Sequence, residues 1–468
     1  MHKSNFIIGK IYTMNNFKKI FCFLVAFTTL SVQGKVISPA EPVAPTEPAP
    51  EQVHGVMATT GIDGSPLPDI NGKLSLQDCI DLALANSPSA VSASLQKKMA
   101  KVELNLAKGN FLPTAEVTAG ETYTTHKTAG SSTVEDHYGN ISADATLSLR
   151  GITDLARNVK MKQVEVEQAE LKFEGVKNDI IRTVKKNYYS LLSAIKTVDI
   201  RTQSRDVYKE QYDRTNEYYR LGLRPKVDVT TAEVNLNNEE LRLIRAKNTV
   251  KTASAMLANA LGITTSKTLD IQDDASWGTM DLSFDEVIKT AYENRPDVDS
   301  ARLDMKLGKM RLNQAKFAYL PTLSFLAGFS KSGDDFHLDN EDARLAVGIE
   351  IPIFNAFKTY NGVKQAQLNL ESTQNNTRSL LNNVFLEVQN AYIKMEEAKE
   401  SIPIAELNAE KAKENLELSQ GRYNEGISDI IELKDAEAAY TDAELSLLTA
   451  RYDYASAVAD LKQAMGTY

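Results

Sequence analysis

Little in this chain of 468 residues points to catalysis or metal binding. It has two Cys, five His and one Trp. We find no phosphate-binding G-x-x-x-x-G-K-S/T loop, no nucleophile elbow and no zinc-ligand spacing in it. The sequence therefore predicts a protein that is not an enzyme and that holds neither a metal nor another cofactor.

Long apolar runs are scarce as well. The most pronounced apolar run is residues 20–30. Its 11 residues are too few for a membrane-spanning helix, which needs about 20. It follows Lys18 and Lys19 and precedes small residues, which is typical of an export signal over residues 1–34. Residues 1–34 hold four Lys and no acid, so their removal takes the net charge from −9 to −13. Such an acidic chain is not expected to bind nucleic acid.

Cysteine is nearly absent from the predicted mature chain. Cys22 lies in the export signal, which leaves Cys79 alone and excludes an intrachain disulfide. Cys79 falls on the apolar side of a helical pattern, so we expect it to be a small buried hydrophobic residue. Proline is concentrated in the segment that follows the signal, with five Pro between positions 39 and 50, and predicts a flexible linker over 35–72.

A long internal repeat organises the rest of the chain. Residues 74–114 align without a gap on residues 282–322, with 18 of 41 positions identical. A second pair, 219–233 and 423–437, aligns at a slightly smaller offset. The sequence therefore predicts two copies of one structural unit, 73–270 and 271–468.

Each copy changes its hydrophobic period along its length. Short helices are predicted first, and strictly alternating β-hairpins follow at about 115–149 and 323–353. Very long helices come next, at 152–220 and 356–424, and a tight glycine turn precedes return helices at 226–262 and 430–465. The strands have the length and alternation of tilted membrane-spanning strands.

Four such strands are not stable alone in lipid, because both edges of their sheet would expose unpaired amides. Closing a barrel requires further copies of the chain. Three copies supply twelve strands, and strand number alone also permits a dimer with eight, although so small a barrel is filled by its own side chains.

Several motifs in order carry a resemblance to a known family. They are Asn86-Ser-Pro88 and Asn294-Arg-Pro296, the Leu-Pro pairs that end at Pro113 and Pro321, the strand exit Ile351-Pro-Ile-Phe354, and both glycine turns. Over about residues 74–466 the chain resembles the TolC-like outer-membrane efflux proteins. The resemblance implies an α+β membrane protein in which tandem repeats of long coiled-coil-like helices form an α-barrel. It also implies four transmembrane strands per protomer, which give a twelve-stranded β-barrel in a homotrimer.

The resemblance also implies a function and a location. A member would be a passive duct in the outer membrane of a Gram-negative bacterium, embedded in outer-membrane lipid, with a long periplasmic part. A periplasmic adaptor protein and an inner-membrane pump would engage it. The expected cargo is small molecules such as drugs and toxic compounds, and the alternative is type I protein secretion. A soluble coiled-coil scaffold is the rival from another class, but it explains neither the export signal nor the alternating strands.

Residues near the two turns are the candidate functional residues that the resemblance implies. Glu432 and Asp435 would form an acidic ring at the periplasmic mouth that favours cations, whereas acids in a first helical turn also stabilise the helix dipole without any such role. Tyr423 and Asp228 occupy the positions of a polar link that closes the mouth. A second link of the family aligns with Ser428 and Val227, which cannot form it, and whether Arg220 or Arg224 replaces it stays open. The expected adaptor contacts are Gly222, Leu223, Gly426 and Ile427.

Overall fold

The computed structural model describes residues 72–126, 134–265, 267–273, 280–334, 337–425 and 427–468. The predicted export signal and all but the last residue of the predicted linker lie outside these ranges. Among the described residues, no helix is both long and apolar enough to span a membrane.

Two short helices open each half of the described chain. They are α1 (Leu76–Asn86) and α2 (Pro88–Gly109) in the first half, with α5 (Phe284–Asn294) and α6 (Pro296–Phe317) in the second. Capping boxes begin α1 and α5, where the Ser75 hydroxyl and the Ser283 hydroxyl accept from the backbone N–H three residues later. Proline at the first position of α2 and of α6 separates each pair, since it has no N–H to continue the preceding helix.

The strands form one antiparallel sheet in the order β1-β2-β3-β4. Their bounds are β1 (Thr114–His126), β2 (Val134–Arg150), β3 (Thr322–Asp334) and β4 (Asn340–Glu350). The register aligns Leu149, Phe325 and Val347 across the sheet, so one face carries a row of apolar side chains. β1 and β4 are the edges of this sheet, and no strand among the described residues pairs with their outer sides.

Four helices make two antiparallel hairpins. The first is α3 (Ile152–Arg220) with α4 (Lys226–Ala260), and the second is α7 (Lys358–Asn424) with α8 (Ile430–Ala464). α3 also contacts α8, so the two hairpins lie side by side. α7 begins two residues later than the sequence predicts, because Ala356 and Phe357 adopt positive φ angles of 51° and 63° that do not continue a right-handed helix.

Two large apolar cores and a small third cluster hold the described elements together. The larger contains the fully buried side chains of Cys79, Val184, Tyr188 and Leu257. Its hydrogen bond from the Tyr188 hydroxyl to the Gln272 carbonyl, 2.6 Å long, ties α3 to the segment that joins the two halves. The predicted burial of Cys79 is confirmed. The smaller core lies in the second half, among α5, α7 and α8.

Each return helix ends against the start of a short helix. Gly262 has a φ of +71°, and a Cβ placed on it would lie 2.6 Å from the Asn86 carbonyl oxygen. Gly466 repeats this arrangement at φ +70°, with its Cβ position 2.8 Å from the Asn294 oxygen. α4 and α2 therefore meet end to end beside α3, and we call these two contacts the helix joints.

Candidate functional site at the hairpin tips

The two hairpins reverse through the same kind of helix ending. Gly222 has a φ of +73°, its N–H donates to the Tyr219 carbonyl at 2.9 Å, and the Leu223 N–H donates to the Tyr218 carbonyl at 2.8 Å. This pair of bonds is the Schellman motif, and it needs the left-handed conformation that glycine adopts without strain. In the second hairpin the Ile427 N–H donates to the Arg422 carbonyl at 2.9 Å. Gly426 lies outside the described residues.

Apolar side chains surround both turns and face solvent. Leu223 is 68% exposed and Ile427 is 65% exposed. Val227 and Ile431, which are equivalent by the repeat, are 66% and 60% exposed. Exposed apolar side chains clustered at the end of a helical hairpin are typical of a contact surface. Only Leu223 and Ile427 of these four were expected from the sequence as contact residues, although the repeat places Val227 and Ile431 one turn further along.

Arg224 connects the two residues of the predicted polar link. Its guanidinium carbon lies 6.0 Å from the centre of the Tyr423 ring, and its Nη1 lies 3.6 Å from the Asp228 Oδ2. Asp228 and Arg224 belong to the first hairpin, whereas Tyr423 ends the long helix of the second. Arg224 thus lies between Tyr423 and Asp228 of the first predicted link and not at the second link, for which it was a candidate, while Arg220 is exposed.

The contacts of Arg224 are weak ones. A partly exposed ion pair contributes about 0.2–1 kcal/mol, and an exposed cation–π contact about 0.5–1 kcal/mol. Only the cation–π contact crosses from one hairpin to the other, so it stabilises their contact by about 0.5–1 kcal/mol, which a binding partner can overcome. Ser428, at the position of the second family link, has a buried hydroxyl with no hydrogen-bond partner among the described residues.

The two candidate gate acids differ in their surroundings. Glu432 is paired with Arg422, whose Nε lies 3.3 Å from Oε1. Asp435 lies one turn further along α8 and is exposed. Asp429 caps this helix, accepting from the backbone N–H groups of Ile431 and Glu432 at 3.1 and 3.0 Å. Asp429 therefore caps the helix, and the exposed Asp435 carboxylate is not used as a cap.

Two buried acids lie deeper along the hairpins, and the sequence analysis did not single them out. Glu239 is 1% exposed and is neutralised by Arg201 at 3.2 Å and Arg242 at 3.1 Å. Glu437 is 6% exposed and accepts a hydrogen bond from the Gln211 side chain at 3.3 Å. The apolar residues around Glu437 in the sequence give the only signal for its burial, since Leu433 and Ala436 share its helix face. No group of three His, Cys, Asp or Glu in the described part of the chain is placed to hold a metal ion.

Comparison with known proteins assigns the chain to a family. A model of the outer membrane efflux protein family matches residues 79–263 and 287–467, one segment in each half. The chain belongs to this family. It is an exit duct of the outer membrane for efflux or secretion, with a periplasmic part.

Individual relatives cover most of the chain at low identity. Outer membrane protein TolC of Vibrio cholerae is 22% identical over 414 residues, which span 84% of this chain and 91% of that protein. Toxin and drug export protein A of Aggregatibacter actinomycetemcomitans is 22% identical over 400 residues, 84% of this chain and 86% of that protein. The crystal structure of the Campylobacter jejuni CmeC outer membrane channel superposes with a TM-score of 0.70 at 18% identity, over 84% of this chain and 85% of that one. The structural likeness supports the combination of long helices with a small sheet.

Proposed function

We propose that the protein is the passive exit duct of a tripartite export system and works as a homotrimer with a periplasmic adaptor and an inner-membrane pump. The observation that carries this proposal is a four-stranded sheet with two open edges, attached to long paired helices. Neither half of that arrangement is complete in one chain. The sheet edges have no partner strand among the described residues, and α2 exposes a row of apolar side chains.

The helices support association of copies. Inside one chain, Leu307 of α6 packs on Met161 and Val164 of α3. Its repeat equivalent in α2 belongs to an apolar stripe that is 47 to 67% exposed, made of Val91, Leu95, Met99, Val102 and Leu106. The stripe follows steps of three and four residues, which is the spacing of a packed helix face. In the proposed trimer this stripe packs on α7 of the next copy, as α6 packs on α3 within the chain.

The sheet supports insertion in lipid. Val347 is 67% exposed and Ile349 is 68% exposed on β4, and Val117 on β1 is 71% exposed. An apolar face of this kind on strands of this length suits contact with lipid, and pairing β4 of one copy with β1 of the next removes every open edge. Three copies then close a twelve-stranded β-barrel, and the helices continue it as an α-barrel.

The hairpin tips supply the gate and the docking surface of the proposed duct. Glu432 and Asp435 of three copies place six carboxylates around the mouth, which favours cations and binds polyvalent ones. Tyr423 and Asp228, joined by Arg224, hold the mouth closed. The exposed tips at Gly222, Leu223 and Ile427, together with Gly426, are the proposed contacts of the adaptor.

The proposed cargo is small molecules, and the rival cargo is a secreted protein. One relative is named Toxin and drug export protein A, and its name mentions both a toxin and drugs as cargo. Export of a fluorescent drug and secretion of a protein substrate are therefore measured side by side in cells that lack their own duct. Drug export without protein secretion is the expected result, and the reverse result would reassign the cargo.

The duct itself is tested in purified form. The mature protein in detergent should have the mass of a trimer and should conduct in planar bilayers with cation selectivity. Combined Glu432→Ala and Asp435→Ala should abolish the selectivity and the block by trivalent cations, whereas Glu233→Ala, an exposed acid at the position equivalent to Glu437, should leave both unchanged. A soluble monomer without conductance would overturn the proposal, and unchanged selectivity in the double variant would remove the gate from it.

A further inference from the structure

A buried carboxylate lies between the two hairpins, where α3 contacts α8. The Oε1 of Glu437 on α8 accepts a hydrogen bond from the side-chain amide of Gln211 on α3. The Oε2 of Glu437 has no hydrogen-bond partner among the described residues. Buried carboxylate oxygens are normally paired, since an unpaired one loses its hydration without compensation. This carboxyl group thus differs from Glu239, which has two guanidinium partners.

The surrounding charged groups leave Glu437 without a strong counter-charge. Tyr208 of α3 is 7% exposed and interacts electrostatically with Glu437. The other charged groups that act on Tyr208 are Glu239 and Arg242 of α4 and Asp435 of α8. The guanidinium groups of Arg201 and Arg242 are held by Glu239. On α7, Glu417 adds a negative charge near Tyr440, one turn beyond Glu437 on α8.

Burial raises the pKa of Glu437 to about 7, and the same effect together with the nearby acids raises the pKa of Tyr208 to about 12. The neutral carboxyl of Glu437 loses much less hydration on burial than the carboxylate does, so it suits a packed interface. The ionised form leaves an unpaired charge there, and it is relieved when the hairpins separate and water reaches it.

We propose that Glu437 is a proton-controlled latch between the two hairpins, which holds them together when neutral and favours their separation when ionised. The inference rests on the proposed function, in which separation of the hairpins at this end opens the duct. The duct should then open more readily as the periplasm becomes less acidic.

The direction follows from linkage. The closed state holds the proton up to about pH 7, whereas a solvated Glu437 releases it near the ordinary value of 4.5. The stabilisation of the closed state is therefore complete below pH 4.5 and is lost as the pH rises through about 7. The ratio of separated to closed hairpins should rise by up to about ten-fold per pH unit over this window and level off above it.

The test measures hairpin separation directly. Spin labels are attached at Leu223→Cys and Ile427→Cys, one on each tip, in a chain co-expressed with an excess of unlabelled chain. Cys79, which both chains contain, will not react with the label, because it is fully buried and burial raises the pKa of its thiol to about 12. The distance between the labels, measured in detergent across pH 4.5 to 8, reports separation whether or not the protein conducts.

Three variants decide the outcome. Glu437→Gln keeps the shape and removes the proton equilibrium, so it should show short distances at every pH. Glu233→Gln, the exposed equivalent in the first hairpin, should keep the wild-type pH response. Gln211→Leu removes a hydrogen bond that stabilises the ionised form of Glu437, so it should move the transition to higher pH. This variant replaces Glu437→Gln in the test if Glu437→Gln does not fold.

A wild-type distance that does not change with pH, or a Glu437→Gln response equal to that of the wild type, would overturn the latch. Failure of the proposed function appears separately, as absence of a conducting trimer in the bilayer experiment. If the protein forms a cation-selective duct but the distance between the labels does not change with pH, the proposed function stands and the latch is refuted.

Discussion

Replacing Gly262 by Ala tests the helix joint between α4 and the start of α2. Gly262 has a φ of +71°, and the new Cβ would lie 2.6 Å from the Asn86 carbonyl oxygen. Gly222 is a matched control, since its φ is +73° but nothing lies within 4 Å of its Cβ position. The two substitutions share the same backbone strain and differ in whether the new methyl group meets a neighbour.

The two costs can be worked out separately. A left-handed non-glycine residue costs about 1–2 kcal/mol, and the reduced entropy of the unfolded chain offsets about half of that. Gly222→Ala should therefore lower the free energy of unfolding by about 1 kcal/mol. Overpacking adds about 1–3 kcal/mol at Gly262, because the joint must open to admit the methyl group. Gly262→Ala should thus lower the free energy of unfolding by about 1–3 kcal/mol more than Gly222→Ala does.

Guanidinium unfolding in detergent, followed by far-ultraviolet circular dichroism at one fixed protein concentration, measures this difference. Gly466→Ala repeats the experiment in the second half, where the Cβ position lies 2.8 Å from the Asn294 oxygen. Equal midpoints for Gly262→Ala and Gly222→Ala would show that the joint is loose, and would refute the view that close packing of α4 on α2 stabilises the helical column.

Three further predictions concern charged groups. Glu239→Ala should lower the free energy of unfolding by about 1–3 kcal/mol in the same denaturation assay, because it leaves the partly buried guanidinium of Arg201 without its partner; an effect below about 0.5 kcal/mol would contradict this. Arg224→Ala should increase uptake of bulky antibiotics as much as Tyr423→Leu does, with no further increase when the two are combined, since both remove the contact of the guanidinium with the ring; additive uptake would argue against a shared link. Burial raises the pKa of Asp297, but hydrogen bonds and the charge of Arg295 outweigh this and hold that pKa below its usual value of 3.8. Stability from this carboxylate is present above pH 3.8 and lost below it, so the acid-unfolding curve should lose this component in the Asp297→Asn variant and should be unaltered if the pair is unimportant.

The architecture was readable from the sequence because it depends on periodicity. Alternation predicted four antiparallel strands, and the structure has them as β1 to β4. Spacing near 3.6 predicted the helix over residues 152–220, and α3 occupies that range. The start of α7 was less accurate, because nothing in the pattern indicates that Phe357 takes the left-handed conformation that Gly151 takes in the first half.

The side-chain contacts of the site were not readable in the same way. Arg224 and Tyr423 lie in different hairpins, and no sequence spacing relates them. Glu233 and Glu437 are identical residues at equivalent positions, yet one is exposed and the other is 6% exposed. The difference arises because α8 contacts α3 within the chain. Burial of this kind depends on which helix faces meet, and a single helix pattern does not contain that information.

That pair of glutamates also shows what duplication within one chain makes possible. A protein assembled from identical half-length chains would carry the same residue at every equivalent position, and any change would apply to all of them. Fusing two copies frees one to mutate while the other keeps the ancestral role. Arg295, buried against Asp297 and Glu387, stands where the first copy has Ser87, so the copies have already diverged at a packing position. Selection can therefore act on one hairpin of each pair and leave the shape of its twin unchanged.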